Sequence, residues 1–145
     1  MELSSKSEYA LLALLELANC YRRNESLQIQ QIALLQNIPS RYLEQLLATL
    51  RRGGLIKSIR GAKGGYILAR DPQQITLLDV LNCIEGVEST STAGDTTSKT
   101  IESKIIQDIW CEARQAANSV WQKYTLQDLC ELRDNRQEVQ FMYYI

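Results

Sequence analysis

Apolar residues along this chain recur mostly at helical spacing, and only one short region alternates as strands do. From Tyr9 to Ala18 almost every position is apolar, which predicts a helix buried on more than one side. Ser5-Lys6-Ser7-Glu8 ahead of it matches a capping box, a hydroxyl and a carboxylate three residues apart that satisfy backbone amides reciprocally. Polar residues from Tyr21 to Glu25 end that helix. Leu27 to Leu35 begins as a short strand or turn and becomes a second helix. Ile38-Pro39 breaks it, because a residue before proline avoids the helical region. Leu43, Leu46, Leu47 and Leu50 then share one face of a third helix. Pro39 suits its start and Gly53-Gly54 its end.

Two short apolar runs follow, Leu55 to Ile59 and Tyr66 to Leu68, joined by the hairpin tip Arg60-Gly61-Ala62-Lys63-Gly64-Gly65. Asp71-Pro72 closes the hairpin, and Thr76-Leu77-Leu78-Asp79 is a second capping box, opening a helix that stops at Gly86. From Glu88 to Thr100, eight of thirteen residues are Ser or Thr, the composition of a mobile loop. Ile101, Ile105, Ile109, Ala113, Ala117 and Trp121 then repeat at every fourth position. They predict a long helix with a wide apolar stripe, whose alanines permit close approach of another helix. Thr125 to Asp128 caps a last helix expected to be short and to fade after Arg133. The apolar end, Phe141 to Ile145, is expected to add a strand or dock on a partner.

The pattern predicts a mainly α fold with a small β-hairpin wing. Two short helices joined by a turn make a helix-turn-helix, and the hairpin makes it winged. The expected organisation is a winged helix-turn-helix domain over residues 1–87, a flexible Ser/Thr-rich loop over 88–100, a dimerisation helix and following short helix over 101–133, and a C-terminal tail over 134–145.

Charge sharpens this picture. The chain carries −1 overall, yet Pro39 to Arg70 holds seven basic residues (Arg41, Arg51, Arg52, Lys57, Arg60, Lys63, Arg70) against Glu44 alone. That local +6 leaves −7 for the remainder, an electrostatic footprint that favours a polyanion as partner. A helix beginning Arg41-Tyr42 and continuing Glu44-Gln45 suits the major groove, where base edges present distinct donors and acceptors. A cationic glycine-rich tip suits phosphates and a minor groove. An amphipathic membrane-surface helix fits less well, because the charge sits largely on a loop. A different class of function, a winged module that docks a metabolic enzyme or other protein, has no need of Arg60, Lys63 and adjacent glycines.

The chain has no histidine, which excludes Ser-His-Asp and Cys-His catalysis, and Gly61-x-x-Gly64-Gly65 opens no helix, so it is not a phosphate-binding loop. The sequence is not that of an enzyme. No apolar run is long enough to span a bilayer and the N-terminus lacks a signal peptide's order, so a cytoplasmic protein is expected. Cys20, Cys83, Cys111 and Cys130 are widely spaced, which argues against a disulfide framework.

Ser5-Lys6-Ser7-Glu8-Tyr9-Ala10, Tyr42-Leu43-Glu44-Gln45-Leu46, Leu50-Arg51, Gly54-Leu55-Ile56 and Arg60-Gly61-x-x-Gly64-Gly65-Tyr66-x-Leu68 resemble the Rrf-two family of bacterial winged-helix regulators. The resemblance covers residues 1 to 133 and is most specific from Tyr42 to Tyr66. It implies a homodimer on double-stranded DNA with a palindromic operator, joined through Ile101, Ile105, Ile109, Ala113, Ala117 and Trp121. It also implies that Arg41, Tyr42, Glu44 and Gln45 belong to the recognition helix, and Arg60 and Gly61 to a wing in the minor groove. From charge, Arg51, Arg52 and Lys63 are expected to contact phosphates.

One departure is informative. Iron–sulfur members of the family carry three close cysteines between the wing domain and the dimer helix, and residues 88–100 contain neither cysteine nor histidine. A Ser/Thr loop cannot replace soft thiolate donors. The alternatives are a [2Fe-2S] cluster on unconventional ligands, for which Glu8, Cys83 and Cys111 are the candidates, a thiol switch at Cys83 or Cys111, or apolar core roles for Cys20, Cys83 and Cys130.

Overall fold

The computed structural model describes residues 3–86 and 100–143. Most of the Ser/Thr-rich segment, and Tyr144 and Ile145, lie outside the described residues. The order of elements is α1 (Ser5–Tyr21), α2 (Ile29–Gln36), α3 (Ser40–Arg52), β1 (Ile56–Ile59), β2 (Gly65–Leu68), a 3-10 turn (Pro72–Gln74), α4 (Leu77–Glu85), α5 (Ile101–Lys123) and α6 (Leu126–Tyr143). The strands form an antiparallel hairpin in which Ile56 faces Leu68 and Ile59 faces Gly65. This is a mainly helical winged helix-turn-helix.

The near-continuous apolar sequence of α1 has a simple cause: it touches α2, α3, α4, α6 and β2. Its Ala10, Ala13, Leu14 and Leu17 are buried at the centre of the core. Leu43, Leu46, Leu47 and Leu50 of α3 are at most 1% exposed. Each such burial stabilises by about 1.5–3 kcal/mol, so the inner face of α3 is fixed and its outer face is thereby chosen. Asn37 in the left-handed conformation ends α2, and buried Ile38 anchors the turn before Pro39. Beyond α3, Leu55 N–H returns to the Leu50 carbonyl at 3.1 Å, and Gly54 adopts a φ of 78°.

Two local expectations are corrected. The cap of α1 is Ser4, whose Oγ accepts the Ser7 amide at 3.1 Å. The carboxylate that answers these hydroxyls comes from the far end of α4: Ser4 Oγ and Ser7 Oγ each donate to Glu85 Oε1 at 2.7 Å. Ser7 is fully buried, and a buried hydroxyl needs a partner, which the folded chain supplies across 78 residues. The other correction is α6, which does not fade after Arg133 but continues to Tyr143. Residues 134–143 hold neither Gly nor Pro and are rich in good helix formers, so nothing interrupts the hydrogen-bond ladder.

Both capping boxes ahead of α4 and α6 form. Thr76 and Asp79 exchange bonds at 3.0 and 3.1 Å, and Thr125 and Asp128 at 2.9 and 3.2 Å. The two caps lie side by side, with Leu77 N–H on the Tyr124 carbonyl and Leu126 N–H on the Ile75 carbonyl, both at 2.9 Å. This pairing returns α6 to α1, so Leu126 and Cys130 join the same core as residues 10–84. α5 differs: none of its residues is fully buried, and Trp121 is the one that packs against the core.

Candidate nucleic-acid interface

The outer face of α3 follows directly from its buried leucines. With those four turned inward, Arg41, Glu44, Gln45, Arg51 and Arg52 are exposed. Tyr42 is not among them. It is half-buried, meeting Tyr9 of α1 edge-on with ring centroids 5.5 Å apart and planes at 80°, a geometry worth about 0.5–1.5 kcal/mol beyond area burial. Its place is on the flank of α3, where it packs α1 against that helix. Arg52 Nη2 donates to Thr49 Oγ1 at 3.4 Å, and that hydroxyl donates to the Gln45 carbonyl at 3.0 Å.

On the Glu44 side of α3 stands the wing. Ser40 and Glu44 share a cleft with Gln28, the N-cap of α2, with Gln30 of α2, and with Ser58 and Gly61 of the hairpin. Arg60, Gly61 and Lys63 are exposed at the tip. The tip is tied down at its base. Leu27 and Tyr66 exchange backbone bonds at 3.1 and 2.7 Å, and Ser26 Oγ donates to the Lys63 carbonyl at 2.7 Å. A Cβ at Gly65 would lie 2.5 Å from the Leu27 carbonyl oxygen, so glycine is what lets the wing meet the approach to α2. The sequence alone had not brought Gln28 and Gln30 to this surface. Their only signal was a run of glutamines ahead of a helix.

The candidate metal ligands are dispersed. Glu8 is exposed on α1, Cys111 is exposed on α5, and Cys83 is half-buried with its thiol 3.6 Å from the Thr49 carbonyl. Burial pushes the Cys83 thiol up, an effect opposed by Arg52, and burial likewise raises Cys20 and Cys130. Among the described residues no three His, Cys, Asp or Glu side chains are grouped as metal ligands. Also among the described residues, no helix is long and apolar enough to cross a membrane.

A family model named Rrf2, described as iron-dependent transcriptional regulator, matches residues 3–132. The chain belongs to the Rrf2 family. This Rrf2 protein is 36% identical over 146 residues to the HTH-type transcriptional regulator CymR of Bacillus subtilis (strain 168), with 100% of both chains covered. Its fold is similar to that of IscR from T. potens, with a TM-score of 0.78 and 32% identity over 99% of this chain and 97% of the other. It is also similar to the solved structure of CymR, the global cysteine regulator of B. subtilis, with a TM-score of 0.74 and 33% identity over 91% of this chain and 98% of that one. Like these relatives, the Rrf2 chain is a DNA-binding transcriptional regulator and not an enzyme. Residues 88–100, where iron–sulfur members of the family carry three close cysteines, hold no cysteine or histidine in this sequence.

Proposed function

We propose that this chain acts as a homodimer that reads a palindromic operator, with α3 in the major groove and the wing in the adjacent minor groove. The observation that carries this reading is the trough around α3. Its cationic and amide-bearing outer face is flanked by a tethered basic hairpin, and four buried leucines hold it rigidly. Arg41, Glu44 and Gln45 are the base readers. Arg51, Arg52 and Lys63 take phosphates, and Arg60 with Gly61 enters the minor groove. Tyr42 supports the readers from the flank.

The second subunit docks on α5. Ile101, Ile105 and Ile109 are 76%, 53% and 61% exposed, and Ile106 and Val120 are also more than half exposed. Ala113 and Ala117 continue that stripe, and such a contiguous apolar face marks an interaction surface. Trp121, at its end, is shared with the monomer's own core. In this reading residues 1–87 recognise DNA and 101–133 hold the pair together, spacing the half-sites by about one helical turn, roughly 10 bp. The full-length likeness to CymR supports control of genes of cysteine supply as the first physiological role to test.

Titration of duplex DNA at increasing salt, with sedimentation of the free protein, tests the proposal. A dimer whose affinity falls linearly with the logarithm of salt concentration is expected. A monomer, or salt-independent binding, would refute it.

A further inference from the structure

The trough around α3 has two walls, and only one is the wing. The opposite wall is the first turn of α1. Ser5 and Tyr9 share a cleft with Pro39, Arg41, Tyr42 and Gln45. Beside it, Lys6 faces Tyr42, Gln45, Thr49 and Arg52 across a second cleft. Helical spacing puts Glu44 and Arg51 toward the wing side of α3 and Tyr42 and Thr49 toward the α1 side. A duplex that receives α3 in its major groove has a sugar-phosphate strand along each edge of that groove. The wing meets one of these strands; the other runs past Lys6.

We propose that the first turn of α1 is a third DNA-contacting element, in which Lys6, with Arg52 across the cleft, grips a backbone phosphate on the side of α3 away from the wing. The proposal rests on the DNA-binding reading above and adds to it a contact outside the helix-turn-helix and the wing. Lys6 is exposed, and the ion pairs among the described residues do not include it. Glu85 is close enough for its charge to be felt by Lys6, but its Oε1 already accepts both Ser4 Oγ and Ser7 Oγ. Those two bonds bracket Ser5 and Lys6, and the Tyr9–Tyr42 contact fixes the next turn against α3. The ammonium is thus presented from a rigid turn. Because phosphate contacts position a protein without reading sequence, Lys6 contributes to affinity and not to base preference.

The test measures fluorescence anisotropy over a salt series with two probes, a duplex selected by the wild-type protein from a random library and a mixed-sequence duplex. Wild type, Lys6→Ala, Lys6→Gln and Lys6→Arg are compared, with thermal unfolding as a check on folding. Lys6→Ala and Lys6→Gln are expected to weaken both probes by the same factor and to flatten the slope of log K against log salt by about 0.9 per subunit contact. Lys6→Arg is expected to restore it. If the wild-type slope is steep and Lys6→Gln leaves it unchanged, the clamp is wrong while the DNA-binding reading stands. If Lys6→Gln alters the preference between probes, Lys6 reads bases and the phosphate assignment is overturned. If the wild type enriches no duplex from the library and does not bind the mixed-sequence duplex, the underlying reading falls and the clamp with it.

Discussion

Gly53 lies against the Cys83 thiol so closely that a Cβ at position 53 would be 2.3 Å from Sγ. Gly53 has an ordinary helical φ of −75°, so the space, and not the backbone, demands glycine there. The contact joins the C-terminal cap of α3 to α4, and the thiol completes it with its bond to the Thr49 carbonyl. Gly53→Ala is expected to destabilise the fold by about 1–3 kcal/mol, the usual cost of overpacking. Cys83→Ala removes the obstructing sulfur, so the double variant is expected to recover much of that loss. Chemical denaturation of the four species gives the coupling energy. Strict additivity would show that the two residues do not touch as described.

Arg60 projects from a wing whose base is tied to Leu27 and whose tip is held through Ser26. Arg60→Ala is therefore expected to leave unfolding and dimerisation unchanged and to cost about 1–3 kcal/mol of operator binding. Equilibrium binding alongside sedimentation checks both halves of the expectation.

Gln45 and Arg52 both lie on the outer face of α3, yet they are assigned different work. Gln45→Ala is expected to alter which base is preferred at one position per half-site. Arg52→Ala is expected to weaken all duplexes alike and reduce the salt slope by about one per subunit. Binding to a set of singly substituted operators separates the two. Equal loss on every duplex for Gln45→Ala would remove it from the readers.

Exposed isoleucines on α5 give a direct test of the dimer. Ile105→Asp and Ile109→Asp combined are expected to yield monomers that remain folded, because no residue of α5 is fully buried in its own subunit. A dimer that survives both changes locates the interface elsewhere. Monomers should also lose most operator affinity, since two half-sites are then no longer bound as one unit.

Glu85 supplies a pH dependence with a defined sign. The hydroxyls of Ser4 and Ser7 hold its carboxyl below the ordinary value of 4.5, against an upward push from burial and with a smaller downward contribution from Lys6. A carboxylate with a depressed folded-state pKa stabilises fully above the unfolded value and loses that contribution as pH falls through the folded value. The melting temperature of Glu85→Gln is therefore expected to fall less steeply than that of wild type on acidification below 4.5. Parallel curves would mean that the bonds from Ser4 and Ser7 do not depend on the charge.

Much of this was legible along the chain. The four leucines of α3, the hairpin and its basic tip, the Thr76–Asp79 and Thr125–Asp128 caps and the glycine stops are local patterns, and local hydrogen bonding and apolar periodicity fixed each of them. The start of α1 was misread by one residue because Ser4, Ser5 and Ser7 are chemically alike. Only the distant Glu85 distinguishes the hydroxyls that have a partner. Spacing placed Tyr42 with Arg41, Glu44 and Gln45 on α3, and its edge-on contact with Tyr9 could not be seen from spacing. The end of α6 was cut short because its polar composition hid an uninterrupted helix.

Sequence by itself determined the winged helix-turn-helix, its cationic surface and the exclusion of histidine chemistry, since each depends on residue type and near-neighbour spacing. Tertiary structure alone decided that α6 returns to the core through Leu126, that Cys83 braces Gly53, and that Lys6 lies beside α3. Those facts join residues tens of positions apart. Burial and side-chain contact act through space, and no local pattern in the chain encodes which distant partner will complete them.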